Sequence, residues 1–404
     1  MSPSTQACLP DPCARLDETW LAPIHSLIAC QAEKAPKKVA VIGADESWTY
    51  RELEGASNRL AGLLSRKNIH PGDVVAIYAH RDPTVAVTIL AVLKAGAVFV
   101  ILDPAYPTPR LIDYVRIARP KGWLRMAGAG ALPRQLAEFL RTSESRCLID
   151  LPYAKREIVC LLERQSGGAR EINLAADDPA YIAFTSGSTG EPKGVLCRHG
   201  PITHFLPWQQ EAFALRSSDR YALLSGLGYN HLQRELFTAL ASGASLFIPT
   251  NEQLQNPEQL NDWLRRRKIS ILHLTPALGR LLRTAKVRRL PSVRRIFFGG
   301  DLLTRKDVRA IRQSAPEATL VSFYGATETQ RAVGYFTITE TSLASGAGAK
   351  QTVPVGKGIK DVQLILLNAA GQLAGIGERA EIYVRSPHLA TGYLGDDALT
   401  ESNF

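Results

Sequence analysis

The chain has 404 residues, with 48 Lys and Arg against 38 Asp and Glu, which gives a formal net charge of +10. Hydrophobic residues make up 45% and charged residues 21%, proportions that exclude a disordered chain, a collagen, a coiled coil and a small disulfide scaffold. In this sequence no stretch approaches the roughly 20 apolar residues of a membrane helix, and the first residues do not resemble a secretory signal. The length predicts two or three packed units.

The cysteines and the basic residues predict a location and exclude some partners. The six cysteines lack the paired spacing of a metal site and are interpreted as reduced thiols of a cytoplasmic protein. Two basic clusters, 265–268 and 286–289, end helix-like stretches, where cations suit the helix C-terminus. Because aromatic residues do not alternate with them, we expect no nucleic acid as a partner, and because no long apolar stretch is present we expect no membrane partner.

The first part of the chain alternates between strand and helix patterns. Thr49 is followed three residues later by Glu52, a capping box that predicts a helix start. The pattern then predicts a strand at 73–79, a helix at 84–95 and a strand at 98–102. This order is typical of the βαβ unit of a parallel sheet.

Changes in the predicted secondary structure along the chain divide the sequence into four segments. Residues 1–20 are predicted as a flexible tail, and the first alternating region gives an α/β lobe over 21–178. The alternation resumes over 179–345 as a second lobe. Short strands and turns indicate a β-rich subdomain over 346–404. The predicted class is therefore α/β, with two related lobes of mostly parallel sheets and a small C-terminal β-rich subdomain.

The most informative stretch is TSGSTGEPKGV, residues 185–195, directly after a predicted strand. Its glycines let backbone amides approach an anion, its hydroxyls can donate to phosphate oxygens, and Lys193 can neutralise charge. It is not a Walker A loop, because Lys193 precedes Gly194, and it is not a nucleophile elbow, because Ser186 stands two residues before Ser188. A polyphosphate loop is favoured over a flexible surface loop.

This loop resembles the phosphate loop of the adenylate-forming superfamily, which includes acyl-CoA synthetases, luciferases and nonribosomal peptide synthetase adenylation domains. Other segments resemble the family's motifs in the same order: SWTYRELEGASNRLAGLL, LKAGAVFVILDPAYP, FYGATETQ and GYLGDDALTESNF. A finer resemblance is to the 2-aminoadipate reductases of the fungal lysine pathway. It rests on VILDPAYPTPR, LSGLGYNHLQRELFTAL, ILHLTPALGRLL, FYGATETQRAVGYF and VGKGIKDVQLILLN.

The resemblance implies that a carboxylic acid and ATP give an acyl-adenylate and pyrophosphate, and that the acyl group then passes to the phosphopantetheine of a carrier protein. By the same resemblance, Glu328 would bind Mg²⁺ and Tyr324 would stack on adenine. The implied ATP-binding residues are Thr185, Ser186, Gly187, Ser188, Thr189, Gly190, Lys193, Gly300, Asp301, Tyr324, Gly325 and Thr327. The implied catalytic residues are Thr185, Lys193, Thr327 and Glu328.

The resemblance also places an acid-binding pocket. Its implied wall is Asn230, His231, Arg234, His273, Phe297, Gly299, Phe323, Arg331 and Ala332. Where amino-acid-activating members normally have an aspartate for the substrate ammonium, this chain has Asn230. Two guanidiniums, Arg234 and Arg331, predict an acid with a second carboxylate, 2-aminoadipate first of all. The alternative is that both arginines pair with Glu235 or Glu328.

In the family, the GYL motif is followed by a Tyr-x-Thr-Gly-Asp motif, a hinge and a mobile domain with a catalytic lysine. This sequence ends before these, at Phe404, and is interpreted as the large subdomain, weakly active without that C-terminal partner. Two other functions remain open. An acyl-CoA synthetase is disfavoured because such pockets are typically apolar, and a non-catalytic nucleotide- or acid-binding module would fit the absence of the lysine domain.

Overall fold

The computed structural model describes residues 11–141, 145, 147–164, 168, 171–186, 190–286, 289–343 and 351–404. Its strands are β1 (Val39–Ile42), β2 (Ser47–Thr49), β3 (Val74–Tyr78), β4 (Val98–Leu102), β5 (Gly122–Met126), β6 (Cys147–Leu151), β7 (Pro179–Ser186), β8 (Pro192–Arg198), β9 (Arg220–Ala222), β10 (Ser245–Phe247), β11 (Ile271–Leu274), β12 (Arg295–Phe298), β13 (Thr319–Tyr324), β14 (Gly334–Ile338), β15 (Lys357–Gly358), β16 (Gln363–Leu367), β17 (Glu381–Arg385) and β18 (Gly392–Tyr393).

Helices connect most of the strands. They are α1 (Ile24–Lys34), α2 (Tyr50–Arg66), α3 (Thr84–Lys94), α4 (Thr108–Ala118), α5 (Arg134–Arg141), α6 (Lys155–Glu163), α7 (His199–Ala212), α8 (His231–Ala241), α9 (Asn251–Gln255), α10 (Pro257–Arg266), α11 (Pro276–Leu282), α12 (Arg305–Ser314), α13 (Glu340–Leu343) and α14 (Asp397–Asn403). The helix predicted from Thr49 and Glu52 is confirmed as α2, with both hydrogen bonds of the capping box present. Among the described helices, none is both long and apolar enough to cross a membrane.

Two large sheets form the body of the described chain. The seven-stranded sheet has the order β18-β8-β7-β4-β3-β5-β6, and the nine-stranded sheet has the order β15-β14-β13-β12-β11-β9-β10-β1-β2. The inner strands of both are parallel, and the antiparallel pairs lie toward the edges. The predicted α/β class with mostly parallel sheets is confirmed.

The sheets do not follow the predicted division at residue 178. Strands β1 and β2 precede that residue but belong to the nine-stranded sheet, whereas β7 and β8 follow it and belong to the seven-stranded sheet. Every residue of α3 is buried, and one core cluster combines side chains from both sheets with α1, α2 and α3. The two sheets therefore share a core, and the chain passes between them more than once.

The C-terminal region holds a two-stranded antiparallel sheet, β16 with β17, while β15 and β18 extend the large sheets. The end of the predicted flexible tail packs against it, since Gln363 donates to the Asp11 carbonyl and Arg385 donates to the Ala14 carbonyl, both over 2.7 Å. Residues 11–20 thus make specific contacts, and residues 1–10 of that predicted tail lie outside the described residues.

Candidate active site

Several candidate residues lie at or just after the carboxyl ends of strands, the edge at which open α/β sheets bind ligands. In the nine-stranded sheet, β12 leads to Gly299, Gly300 and Asp301, and β13 ends at Tyr324. In the seven-stranded sheet, β7 ends at the predicted phosphate loop.

The phosphate loop is described only at its two ends. Thr185 lies opposite Lys193 in the antiparallel pair of β7 and β8, and Gly190 has a φ of 87°. The Lys193 ammonium lies 5.8 Å from the centroid of the Tyr393 ring. Gly187, Ser188, Thr189 and the side chain of Ser186 lie outside the described residues.

The predicted adenine site is open to solvent beside a tight glycine turn. Asp301 is exposed and its carboxylate caps the Leu302 amide over 2.7 Å. Gly300 has a φ of 86°, and a Cβ there would lie 2.7 Å from Cε1 of His231. A side chain at 300 would therefore strain the turn and also push His231 out of place. Tyr324 is partly buried at the end of β13.

Residues of the C-terminal segment make hydrogen bonds to both the backbone and the side chain of Glu328. The Tyr393 hydroxyl donates to Oε1 of Glu328 over 2.5 Å, and the Ala390 amide donates to the Glu328 carbonyl over 3.0 Å. Mg²⁺ in nucleotide sites is usually bound by one or two carboxylates together with substrate phosphates. A partly exposed carboxylate held by Tyr393 fits that donor set, while the backbone carbonyl of Thr327 accepts from the Gln330 amide.

The walls of the predicted acid pocket are aromatic. The rings of Phe297 and Phe323 stack with centroids 5.0 Å apart, and the His273 ring lies 5.1 Å from Phe297. Beside them, a cavity of about 390 Å³ is lined by His231, His273 and other residues at the ends of β9 and β11. The predicted wall residue Ala332 is buried.

Arg234 lies beside His231 and Gly299, next to this cavity. A Cβ on Gly299 would lie 3.5 Å from Nη1 and 3.6 Å from Nη2 of Arg234, so the guanidinium lies against that backbone. In the described part of the chain Arg234 makes no hydrogen bond and no ion pair, and part of its surface stays accessible. Burial lowers the pKa of Arg234 to about 10, although Glu235 and Tyr181 oppose the shift.

Glu235 bonds to the backbone beside this cavity rather than to Arg234. Its carboxylate accepts from the backbone amides of Leu224 and Ser225, over 3.2 and 3.0 Å. Burial raises the pKa of Glu235 to about 7, while those amides and the charge of Arg81 favour its ionised form. The alternative expectation, a direct ion pair between Glu235 and Arg234, is therefore not found among the described contacts.

The two pocket histidines are held neutral. Burial, reinforced by the charge of Arg234, lowers the pKa of His231 to about 3 and lowers that of His273 well below its ordinary value. Gln209 lies 3.3 Å from Nε2 of His273, and the Thr238 hydroxyl donates to the Gln209 carbonyl over 3.0 Å. The histidines thus add polar atoms to the pocket without adding charge.

Asn230 is fixed by two hydrogen bonds. Its carbonyl oxygen accepts from the Tyr181 hydroxyl over 3.0 Å, and its amide donates to the Gln330 carbonyl over 3.1 Å. Gln330 is itself buried and pairs through its side chain with both backbone groups of Arg198. Asn230 therefore joins the helix α8 to strands β7 and β8 at the junction of the two sheets.

Among the described residues, Arg331 has hydrogen-bond partners that Arg234 lacks, although Tyr181 interacts electrostatically with both. Its guanidinium donates to the carbonyls of His388 and Thr329 and to the Ser386 hydroxyl. Burial, reinforced by the charge of Arg331, lowers the pKa of His204 and His388, whereas the charge of Arg234 acts on the pocket histidines. The expected pairing of Arg331 with Glu328 is also absent among the described contacts. Arg331 thus has hydrogen-bond partners within the protein, and its placement in the acid pocket stays a prediction.

Residues 28–394 match the family described as AMP-binding enzyme. The chain belongs to this family. It is 36% identical to the L-2-aminoadipate reductase of Schizosaccharomyces pombe, over 100% of this chain and 30% of that enzyme. It is 30% identical to gramicidin S synthase 2 of Brevibacillus brevis, over 94% of this chain and 8% of that protein.

The fold agrees with solved structures of the same kind. The crystal structure of the nonribosomal peptide synthetase FmoA3 matches with a TM-score of 0.84, over 96% of this chain and 40% of that one, at 23% identity. The resemblance to aminoadipate reductases and to nonribosomal peptide synthetase adenylation domains is thus confirmed as homology. The chain spans about a third of the length of the reductases it matches.

Sequence reasoning did not identify four residues that organise this site. Tyr181 and Gln330 hold Asn230, Gln209 lies against His273, and Tyr393 holds Glu328. For Tyr393 a signal was present, because it lies in the GYL motif. Gln330 likewise lies in the FYGATETQ segment, whereas for Tyr181 and Gln209 only the three-dimensional arrangement brings them to the site.

Proposed function

We propose that this chain binds ATP and a carboxylic acid with a second carboxylate, and activates the acid as an acyl-adenylate. In this reaction an oxygen of the acid attacks the α-phosphorus, a new C–O–P linkage forms, and the bond to the departing pyrophosphate breaks. Membership of the AMP-binding enzyme family and homology to aminoadipate reductases support this reaction class. 2-Aminoadipate is the first candidate, with deaminated or hydroxylated dicarboxylates next.

The observation that carries the acid class is the guanidinium of Arg234, which has no partner among the described residues. A buried charge without a partner costs several kcal/mol, so a protein retains one where a ligand supplies the opposite charge. An Arg fork binds a carboxylate through two parallel hydrogen bonds, which gives direction as well as strength. Since His231 and His273 are neutral, a single extra carboxylate balances the pocket.

The same arrangement disfavours an acyl-CoA synthetase for apolar acids. The stacked rings of Phe297 and Phe323 would suit an aliphatic chain, but such an acid would leave Arg234 unpaired. A site that buries a polar group discriminates strongly against ligands that cannot satisfy it. The aromatic wall then packs the methylene groups between the two carboxylates.

The nucleotide site in this proposal lies between Lys193 and the loop after β13. Lys193 and the amides of the phosphate loop would hold the β,γ-phosphates, Tyr324 would cover the adenine, and Thr327 would contact the α-phosphate. Glu328 would hold Mg²⁺, which supplies charge neutralisation on the phosphates when bound. The chain's own contribution is to align the acid with the α-phosphorus and to exclude water from the aromatic pocket.

The later step and the partners are also proposals. The acyl group would pass to the phosphopantetheine thiol of a carrier protein, and a C-terminal adenylation subdomain would bring the catalytic lysine to the acid and phosphate. An adenylation protein from which such a subdomain had been removed would show exchange activity about a hundredfold lower, the usual cost of one missing charge-stabilising group. The cytoplasmic location remains a prediction from the cysteine pattern.

Acid binding can be measured on this chain by calorimetry, without requiring turnover. We expect 2-aminoadipate to bind more tightly than glutamate, a 2-oxo dicarboxylate to bind measurably, and leucine to bind weakest. Arg234→Met should weaken 2-aminoadipate binding about a hundredfold, since a hydrogen-bonded charged contact contributes about 1.5–3 kcal/mol. The same substitution should change the affinity for leucine by less than about threefold.

The matched control is Arg59→Met, because Arg59 is an exposed arginine of α2 far along the chain from the site. It should change the binding of neither ligand. If leucine binds more tightly than 2-aminoadipate in the unmodified protein, the dicarboxylate class is wrong. Loss of ATP and acid binding together in Arg234→Met would indicate unfolding, which a thermal melt would reveal.

A further inference from the structure

We propose that Tyr393 is a positioning residue that prepares Glu328 to bind Mg²⁺ and ties that carboxylate to the lysine of the phosphate loop. This inference rests on the proposed ATP site, since Glu328 is the candidate ligand there. Its own basis is geometric. The Tyr393 hydroxyl donates to Oε1 of Glu328 over 2.5 Å, while its ring centroid lies 5.8 Å from the Lys193 ammonium.

The hydrogen bond selects one oxygen of the carboxylate. Oε1 of Glu328 is occupied by a neutral donor, and Oε2 has no partner in the described residues. A carboxylate with one oxygen fixed by a donor keeps its charge and its second oxygen for a cation. Carboxylates that bind metals are commonly hydrogen-bonded in this way, and loss of such a partner typically weakens metal binding about 10–100-fold.

Tyr393 is itself held firmly. Its amide donates to the Thr400 hydroxyl over 2.9 Å, and its backbone pairs with Val195 of β8. Gly392 has a φ of 149°, and a Cβ there would lie 2.4 Å from Cγ2 of Thr400. A larger residue at 392 would therefore displace the helix α14 or the tyrosine.

The connection continues through the backbone. The amide of Leu394 donates to the Gly194 carbonyl over 2.8 Å, and the amide of Ala390 donates to the Glu328 carbonyl over 3.0 Å. Residues 390–394 thus bond to β8 on one side and to Glu328 on the other. Because β8 carries Lys193, this short segment fixes the distance between the phosphate-loop lysine and the candidate metal carboxylate.

The ring and the hydroxyl have separable tasks. A cation near an aromatic ring gains a modest attraction at exposed sites, and this contact needs only the ring. Phenylalanine would keep the ring beside Lys193 and remove the donor to Glu328. Tyr393→Phe therefore isolates the hydrogen bond, whereas Tyr393→Leu removes both interactions.

The test is ATP binding by calorimetry, with EDTA and with saturating Mg²⁺, for the complete chain. In the unmodified protein Mg²⁺ should tighten ATP binding. Tyr393→Phe should raise the Mg²⁺ concentration for half of that effect about tenfold, and should leave ATP affinity in EDTA within about twofold. A purely structural role would weaken ATP binding equally under both conditions, and that result would overturn the inference.

Two further variants complete the test. Tyr383→Phe, on an exposed tyrosine of β17, should behave as the unmodified protein. In a Glu328→Gln background, Tyr393→Phe should have no additional effect on the Mg²⁺ dependence. If Mg²⁺ does not strengthen ATP binding in the unmodified protein, the proposed nucleotide site fails. If it does so, and Tyr393→Phe keeps the same Mg²⁺ dependence, the inference about Tyr393 is overturned.

Discussion

The two arginines that the sequence resemblance placed in one pocket have opposite surroundings. Arg331 is buried and donates through Nη1 and Nη2 to two carbonyls and a hydroxyl, whereas its Nε has no partner among the described residues. Arg234 lies against Gly299 beside two neutral histidines and has no described hydrogen-bond partner. The Arg331 side chain thus bonds to the segment that contains Ser386 and His388. The Arg234 side chain has no such bonds to described residues, which leaves its donors available to a ligand.

The difference shows why residue type does not define a binding site. A guanidinium with all its partners inside the protein contributes to stability, and its removal leaves buried acceptors unpaired. A guanidinium without partners lowers stability until a ligand arrives, which is a common cost of a functional site. The two positions should therefore respond in opposite ways to the same substitution.

The largest expected effect is on stability at Arg331. Arg331→Met should lower the free energy of unfolding by about 3 kcal/mol, because the His388 carbonyl and the Ser386 hydroxyl lose a charged donor inside the protein. Urea unfolding gives this value. Acid affinity should change less than about threefold. Unchanged stability with a large loss of acid affinity would mean that Arg331 faces the acid after all.

The second expected effect is a pH dependence of the free energy of unfolding, through one histidine near each arginine. Burial lowers the pKa of His204 and of His231 to about 3. The unfolded chain protonates these imidazoles near their ordinary pKa of about 6.5, so it binds more protons below that pH and stability falls as the pH falls. At about pH 5 each histidine should cost up to about 2 kcal/mol relative to neutral pH.

His204→Gln and His231→Gln should each reduce the loss of unfolding free energy between about pH 7 and pH 5 by up to about 2 kcal/mol. Urea unfolding at both pH values measures it, with the exposed His70→Gln as the control. A saturating dicarboxylate should change this difference at His231, beside Arg234, and leave it unchanged at His204. An equal response of both histidines to the ligand would remove the distinction between the two regions.

The third effect is smaller and opposite in sign to that at Arg331. Arg234→Met should raise the free energy of unfolding by about 1 kcal/mol in the absence of ligand, because it removes an unpaired charge from an aromatic pocket. The same urea titration measures it. A destabilisation as large as that of Arg331→Met would show that Arg234 is a structural residue.

The smallest effect concerns Asn230. Asn230→Asp should favour 2-aminoadipate over its 2-oxo analogue by about fivefold more than the unmodified chain does, since a charged acceptor binds an ammonium more strongly. The carboxylate would keep the Tyr181 donor but lose the bond to the Gln330 carbonyl. Calorimetry with both acids measures the ratio, and an unchanged ratio would place the ammonium elsewhere.

Local patterns predicted local structure well. The capping box at Thr49 and Glu52, the buried α3 and the strands β3 and β4 all follow from spacing and composition, because their causes lie within a few residues. The pairing of β1 with β10 could not be obtained this way. Which sheet a strand joins depends on partners far along the chain.

The site shows the same limit. The sequence placed Gly300, Tyr324 and Lys193 at strand ends, and the structure has them there. It could not give the direction of Arg331, because the position of a side chain's guanidinium depends on rotamers and on partners such as His388. The sequence also did not predict that Tyr393 donates to Glu328, because β18, which contains Tyr393, belongs to the other large sheet.

The placement of β1 has a consequence for how the chain is made. Val41 in β1 pairs in parallel with Leu246 in β10. Because β1 is synthesised well before β10, the edge of β1 that bonds to β10 has no partner until β10 has been synthesised. At a translation rate of about 5–20 residues per second, that interval is roughly 10–40 s. During synthesis the nine-stranded sheet therefore closes late, and for that interval this edge of β1 is an unpaired strand edge of the kind that can pair with another molecule.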